Sequence, residues 1–398
     1  MTFFKDVPLL PPDQIFGIVH EFEQDQRTDK TNLCIGVYRS EEGLPVVFDA
    51  VQDVELHYQE FEASKDYLAI RGDTTYCNLT AELIFGTELF EEIRERCYVN
   101  QTVGGSGALR TAAEFIHREL GKKIYLSNPS WVNHKPIFEA AGLEVGVYPY
   151  FDKESKQLDF AAMKEGISKL DGGSVVLFHA SCHNPCGTDP STEQWKELAK
   201  ICKERGLFPF FDMAYHGFGD GLEEDATSVV TFLKEGLEFF IAYSYSKNMG
   251  VYGERTGALV CVLSSKEYVE PVGSVIRNLI RTNYSNCPRH GSTLVKTILS
   301  DPERRKKWKE ELHKVRTRVI SLREKLRSEL EKSLPDHDWS FFTRQNGMFS
   351  MCGFPEDAVK RLKSEFAIYM TNSSRINIAA LSEKNIQYFI SSLKQVFR

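Results

Sequence analysis

The chain has 398 residues, too long for one small core and the right length for two closely connected domains. Its hydrophobic content of 42% is that of an ordinary globular protein, and no apolar run approaches the roughly 18–20 residues a membrane span requires. A net charge of −7, with basic residues scattered among acidic ones, excludes the concentrated basic stripe of a nucleic-acid or anionic-membrane binder.

A few arginines in a cleft can still dominate the local field, so a small anionic substrate stays compatible with that charge. The N-terminus, Met-Thr-Phe-Phe-Lys-Asp-Val-Pro, carries neither a basic-then-apolar leader nor an Arg-rich presequence, and the cytoplasm is the expected location. Nine cysteines sit singly, which suits a reducing compartment. Cys182, His183 and Cys186 match no zinc spacing and lack a second ligand pair, so no metal is expected.

In chain order, residues 1–12 read as an N-terminal arm. Residues 13–45 are expected to fold beside the C-terminal part of the chain. The middle alternates buried-looking strands with amphipathic helices, the mark of an α/β domain with a mostly parallel sheet flanked by helices. In such sheets ligands gather beyond the carboxyl ends of the strands. Gly104-Gly-Ser-Gly-Ala-Leu-Arg110 leads into a helical pattern over 111–120. It reads either as an anion cradle at a helix N-terminus, with Gly105 and Ser106 in it, or as a plain Gly-rich helix start. It is not a dinucleotide fingerprint.

A strand at Lys123–Ser127 precedes Asn-Pro-Ser-Trp131, whose indole either stacks on a flat ring or anchors the core. Strands follow at Val145–Pro149 and Val175–Ala180. Next comes His183-Asn-Pro-Cys-Gly187, where the proline restricts Asn184 to an extended or turn geometry. After the helix Thr192–Arg205 and the strand Leu207–Phe211 stands Asp212. A carboxylate there is costly unless it meets a cation, such as a protonated pyridine nitrogen, or caps a helix. Tyr215, three residues on, has a phenol to offer a nearby oxygen.

The strand Phe239–Ser244 runs into Ser244-Tyr-Ser-Lys-Asn-Met-Gly250, followed by Arg255 and the strand Gly257–Leu263. Lys247 is open to two readings, a solvated surface amine or an imine-forming one whose pKa is lowered by burial and nearby cations. Ser244, Ser246 and Arg255 suit a phosphate. Arg281 and Arg375 suit carboxylates through paired hydrogen bonds, though either alone reads equally as a surface ion-pair partner. Ser300 with Glu303 suggests a capping box at the head of a long amphipathic helix to Leu334. Strands at Gly347–Cys352 and Arg375–Ile378 complete a smaller α+β domain. The resulting division is 13–45 with 315–398 as the small domain and 46–314 as the large one.

Taken in order, these pieces resemble the fold-type I pyridoxal-phosphate enzymes, and among them the aspartate aminotransferase family. The match runs from Asp25-Gln-Arg-Thr-Asp-Lys-Thr-Asn-Leu-Cys-Ile-Gly-Val-Tyr-Arg39 through His183–Gly187 and Ser244–Lys247 to Gly347-Met-Phe-Ser350 and Arg375-Ile-Asn377, essentially the whole chain. The resemblance implies that Lys247 holds pyridoxal 5′-phosphate as the internal aldimine and later shuttles the substrate α-proton. It implies that Asp212 pairs with the pyridinium nitrogen, supported by His134 with His183 nearby. Tyr215 and Asn184 would bind the ring oxygen, Trp131 would stack on one ring face and Ala214 would touch the other.

Gly105, Ser106, Ser244, Ser246 and Arg255 would form the phosphate site. Arg375 would hold the substrate α-carboxylate with Trp131, Asn184 and the backbone at Gly36. Arg281 and Tyr67 would reach in from the partner subunit of a homodimer, to the distal carboxylate and to the phosphate. The implied reaction is ping-pong transamination between L-aspartate and 2-oxoglutarate, with amino and keto dicarboxylic acids as partners. An aromatic-amino-acid aminotransferase is the alternative. Three residues depart from the family pattern: Gly104 where Ser is usual, Cys186 where Thr is common, and Tyr284 where Trp is common.

Overall fold

Seven segments of mostly apolar sequence form one sheet: β1 (Cys97–Val103), β2 (Lys123–Asn128), β3 (Glu144–Pro149), β4 (Val175–His179), β5 (Phe208–Met213), β6 (Phe239–Ser244) and β7 (Thr256–Val262). The structure, a computed structural model, describes residues 2–11 and 13–397. Met1 and Pro12, the two ends of the expected N-terminal arm, lie outside the described residues. The strand order is β1-β7-β6-β5-β4-β2-β3. The run from β6 to β3 is parallel. Only β7 runs antiparallel, against both β1 and β6.

A parallel sheet is covered on both faces, which is why its strands are nearly continuous apolar runs. Successive side chains alternate between two layers. Val175, Leu177 and Phe210 join the layer containing Ala112, Phe138 and Ile276. Val176, Phe178 and Phe211 join the layer containing Trp195, Leu198 and Phe232. The six expected strands of the large sheet are present within a residue or two.

β1 escaped the sequence reading because its centre is polar. Asn100, Gln101 and Thr102 are buried there. Their needs are met by near and distant partners: Tyr98 Oη donates to Asn100 Oδ1 at 2.9 Å, and Gln101 Nε2 donates to Pro288 O at 2.9 Å.

Helices pack on both faces. α1 (Gln14–Gln24) buries none of its residues within this chain. α2 (Gly104–Phe115) includes the glycines in its first turn, earlier than the expected start at 111, and passes into a short π-helical turn, Ile116–Leu120. α3 (His134–Ala140) follows β2. α4 (Thr192–Arg205) begins at a capping box formed by Ser191 and Gln194. α5 (Val269–Asn283) is followed by α6 (Pro302–Ser333), the longest helix.

The expected capping box of Ser300 with Glu303 is corrected. Asp301 is the N-cap, accepting from the amides of Glu303 and Arg304 at 2.9 and 3.0 Å. Pro302 decides this: its fixed φ and missing N–H suit the first helical position. The apolar stripe of α6 is buried as its spacing requires, from Trp308 through Leu312, Val315, Val319, Leu322 and Leu326 to Leu330. Leu326→Ala is expected to cost about 2–5 kcal/mol, read as a lower denaturation midpoint at unchanged slope. Trp308 also donates from Nε1 to Asn248 O at 2.7 Å, tying the helix to the turn that carries Lys247.

Beyond α6, α7 (Phe341–Arg344) leads to β8 (Phe349–Met351), which pairs antiparallel with β9 (Arg375–Asn377). Thr31–Asn32 pairs in parallel with Ile368–Tyr369. Among the described residues no helix is long and apolar enough to cross a membrane. All nine cysteines are free and buried.

Candidate active site

The carboxyl ends of β4, β5 and β6 open into a cavity of about 570 Å³. Its lining brings together Gly36, Gly105, Ser106, Trp131, Asn184, Asp212, Tyr215, Ser244, Ser246, Lys247, Arg255 and Arg375, residues far apart in the chain. Ala214, at the end of β5, lines it as well. For most of them the topology does this by bringing successive parallel strands out on the same side, and Gly36 and Arg375 come from segments outside the large sheet.

Lys247 sits in the turn after β6, its amine 5.3 Å from the centre of the Tyr215 ring. Burial, with help from Arg255 and Arg375 and against the pull of Asp212, lowers its pKa from 10.5 to about 8. Near neutral pH a far larger fraction of this amine is therefore neutral and nucleophilic than of an ordinary lysine, though the protonated form still predominates.

Asp212 ends β5 and is buried. Burial alone would raise its pKa. The hydrogen bond with His134 and the positive field of its neighbours outweigh that and hold the carboxylate below its ordinary range. An ionised carboxylate only accepts, so His134 donates from Nε2 to Oδ2 at 2.9 Å. The other ring nitrogen of His134 meets Ser130 Oγ at 2.8 Å, and that hydroxyl lies 3.3 Å from His179 Nε2. Burial pushes His179 down to about 3 and His183 far below its usual value, leaving both neutral. His183 bonds Ser127 Oγ at 2.8 Å and lies next to Asp212 only by way of His179, tilted against it, and His134, edge-on to His179.

On the opposite side, Asn184 donates to Tyr215 Oη at 3.3 Å and accepts from Arg375 Nη1 at 3.0 Å. Burial pushes the Tyr215 phenol well up, so it keeps its proton. Arg375, 4% exposed, donates from Nη2 to Cys34 O at 2.6 Å, lies 4.3 Å over the Phe349 ring, and has a buried Nε without a partner. That orphan donor marks a fork still able to take an oxygen anion. Trp131 stands edge-on to His134, with centroids 5.2 Å apart.

The first turn of α2 meets the β6 turn closely. A Cβ on Gly105 would stand 3.1 Å from Ser244 Cβ, and one on Gly104, at φ +67°, would be 2.6 Å from Arg255 Nη2. Gly104 thus gives up a hydroxyl and leaves room for the guanidinium. Free amides at that helix start, Ser106, Ser244, Ser246 and Arg255 make a concave anion cradle. Gly36 is needed for space, since a Cβ there would lie 2.8 Å from Phe349 Cζ. Of the other departures, Cys186 Sγ bonds His183 Nδ1 at 3.1 Å, burial pushing its pKa up to about 12. The Tyr284 hydroxyl is buried without a partner.

Two residues singled out from sequence are not in this cavity. Tyr67 is 84% exposed, and Arg281, at the end of α5, is exposed and bonded to Ser285 Oγ. Conversely, Asp13, Phe16 and Phe349 line the cavity and went unread. Phe349 lies in the quoted Gly-Met-Phe-Ser run, but nothing in its spacing tells an active-site aromatic from a core one.

Residues 28–393 match the family model described as aminotransferase class I and II. The chain is 43% identical over 386 residues to an aspartate aminotransferase of Salmonella typhi, covering 96% of this chain and 97% of that one. Among solved structures it resembles an aromatic-amino-acid aminotransferase from Burkholderia pseudomallei covalently bound to pyridoxal phosphate, with a TM-score of 0.96, 37% identity and full coverage of both chains. It equally resembles the cytoplasmic aspartate aminotransferase of Saccharomyces cerevisiae, with a TM-score of 0.96 and 34% identity over 99% of this chain and 98% of that one. The chain belongs to the class I and II aminotransferase family, and it is an aminotransferase.

Proposed function

We propose that this protein is a pyridoxal-phosphate-dependent aspartate aminotransferase, converting L-aspartate and 2-oxoglutarate to oxaloacetate and L-glutamate in two half-reactions. One observation carries the reading: a lysine amine of lowered pKa, a buried ionised carboxylate and an arginine with a free buried donor face one cavity. The residues fit the cofactor, because Gly105, Ser106, Ser244, Ser246 and Arg255 line the cavity with donors suited to a phosphate and Asp212 suits a protonated ring nitrogen. When bound, pyridoxal phosphate supplies an aldehyde carbon that exchanges amines and a ring that withdraws electrons from the substrate α-carbon.

The chain's own residues do the rest. Gly105, Ser106, Ser244, Ser246 and Arg255 hold the phosphate, with Tyr67 of the second subunit. Asp212, steadied by His134, keeps the proton on the ring nitrogen. Tyr215 and Asn184 hydrogen-bond the ring oxygen, and Trp131 covers one ring face with Ala214 on the other. Arg375 holds the substrate α-carboxylate, aided by Asn184, Trp131 and the backbone at Gly36. Lys247 Nζ takes the α-proton and returns it at the neighbouring carbon.

Arg281 of the second subunit pairs with the distal carboxylate. A homodimer with shared sites is consistent with the exposure of Tyr67 and Arg281, and with the exposed apolar residues Phe3, Phe4, Leu9 and Leu10 of the N-terminal arm. Residues 13–45 with 315–398 would form the domain that moves over the substrate and excludes water, 46–314 the one that holds the cofactor. The cytoplasm is the proposed location.

The test is a coupled assay with aspartate and 2-oxoglutarate on the parent and on Arg281→Leu. Loss of the paired charge should lower kcat/KM for dicarboxylates by roughly 10²–10³-fold while sparing phenylalanine. An equal loss on both substrates would contradict the role of Arg281. The aromatic reading has one observation in its favour, the large exposed Phe16 on the cavity wall. Faster turnover of phenylalanine than of aspartate by the parent would establish it instead.

A further inference from the structure

Arg323 lies on the inward side of α6 and is 3% exposed. Its Nη1 donates to Phe342 O at 2.9 Å and Ser350 Oγ at 2.7 Å. Its Nη2 donates to Asn346 O at 3.0 Å, Gly347 O at 2.8 Å and Phe349 O at 2.7 Å. Every acceptor is neutral, and Nε is buried without a partner. A buried cation held only by neutral oxygens is costly, and an apolar side chain would pack the helix face more cheaply. What arginine alone offers is a rigid fork that bonds several carbonyls at once. Here the fork gathers the segment from Phe342 to Ser350 around itself.

That segment supports the carboxylate arginine Arg375 in two ways, one through the Asn184 loop and one through Phe349. Asn346 donates from its amide to Gly187 O at 2.6 Å and from Nδ2 to Asp189 Oδ2 at 3.0 Å. Asp189 also accepts from the amides of Cys182 and His183 at 2.6 and 3.0 Å, fixing the loop that carries Asn184. Gly347, at φ +67°, packs so closely that a Cβ would stand 2.5 Å from Cys182 Cβ. Asn184 in turn holds Arg375, whose guanidinium rests on the Phe349 ring. β8 itself pairs with the strand bearing Arg375, Met351 opposite Arg375.

We infer that Arg323 is a positioning residue for substrate-carboxylate binding, setting Phe349 and the Asn184 loop against Arg375 without touching the substrate. This rests on the proposed role of Arg375. Because the carboxylate is bound alike before and during reaction, disorder at Arg375 raises KM and leaves kcat nearly unchanged.

The experiment uses the parent, Arg323→Met, Arg323→Lys and Asn346→Ala, all loaded with pyridoxal phosphate, with succinate as a dicarboxylate probe titrated by calorimetry. For Arg323→Met the succinate Kd and the KM for aspartate should rise together by roughly 10–100-fold, at a kcat within about threefold of the parent and with the cofactor's visible absorbance retained. Arg323→Lys keeps charge without the fork and should follow in the same direction. Asn346→Ala cuts the link to Asp189 with Arg323 intact and should show a smaller rise. Should Arg323→Met not fold, the other two variants carry the test. Succinate binding equal to the parent's in folded variants overturns the inference alone. A parent that binds no succinate overturns the proposed function and this inference with it.

Discussion

Lys247→Ala is expected to lower kcat for transamination by at least about 10⁴-fold, leaving the fold intact. Two capacities disappear together. One is the amine that reacts with the cofactor's aldehyde, and the other is the base that moves the α-proton. Proton transfer alone is worth roughly 10²–10⁴-fold, and fixed placement of the reacting amine adds to it. The amine is poised by burial, which lowers its pKa to about 8. The sign follows directly. The nucleophile is the neutral form, so the rate at which the cofactor-free parent takes up pyridoxal phosphate should climb as pH rises through about 8, well before an ordinary lysine at 10.5. Single-turnover kinetics on the variant and uptake rates on the parent measure the two parts. Activity of Lys247→Ala within tenfold of the parent would remove Lys247 from the chemistry.

Arg375→Ala comes next, with kcat/KM expected to fall by about 10³-fold on aspartate and phenylalanine alike. Removing one member of a buried, hydrogen-bonded charge pair costs about 2–5 kcal/mol, and each 1.4 kcal/mol is tenfold. Arg375 also holds Asn184 at 3.0 Å, so the hydrogen bond from Asn184 to Tyr215 loses its support. The contrast with Arg281→Leu is diagnostic. Arg375 meets the carboxylate that every amino acid carries, whereas Arg281 is assigned to the one that only dicarboxylic substrates carry. Steady-state kinetics with both amino acids on both variants separate them, and an Arg375→Ala enzyme that lost aspartate while keeping phenylalanine would reverse the two assignments.

The strands were legible where burial on both faces demanded apolar runs, as in Val175–His179 and Phe239–Ser244. β1 was not, because Asn100 and Gln101 are buried with partners supplied from distant segments, Ile70 and Pro288. The head of α6 was misplaced by one residue, since both Ser300 and Asp301 are good caps and only the backbone shows which side chain turns back. Twelve of the candidate site residues meet in the cavity, most of them because they follow strand ends or open helices at that end of the large sheet, while Gly36 and Arg375 are brought there by segments outside it. Tyr67 and Arg281 are exposed and lie outside the cavity of the single chain, so the work proposed for them would need a second subunit. Phe16 and Asp13 were invisible as site residues because only the packed fold brings them to the cavity wall.

By itself the sequence determined the chemistry's ingredients: an amine after a strand, a carboxylate at a strand end, glycines opening a helix, arginines to meet anions. It determined the α/β class too, because strand and helix periods are local properties of side-chain order. Tertiary structure decided which ingredients act together. Only the packed sheet sets Lys247 beside Tyr215, lowers its pKa by burial, and joins Asp212 to His134, whose positions are 78 apart in the chain. Only the packed core makes Arg323, a charge on a helix by sequence, the holder of five neutral oxygens next to the carboxylate site. The physical reason is common to all of these: desolvation and hydrogen bonding between distant segments depend on which surfaces meet, and no local pattern encodes that.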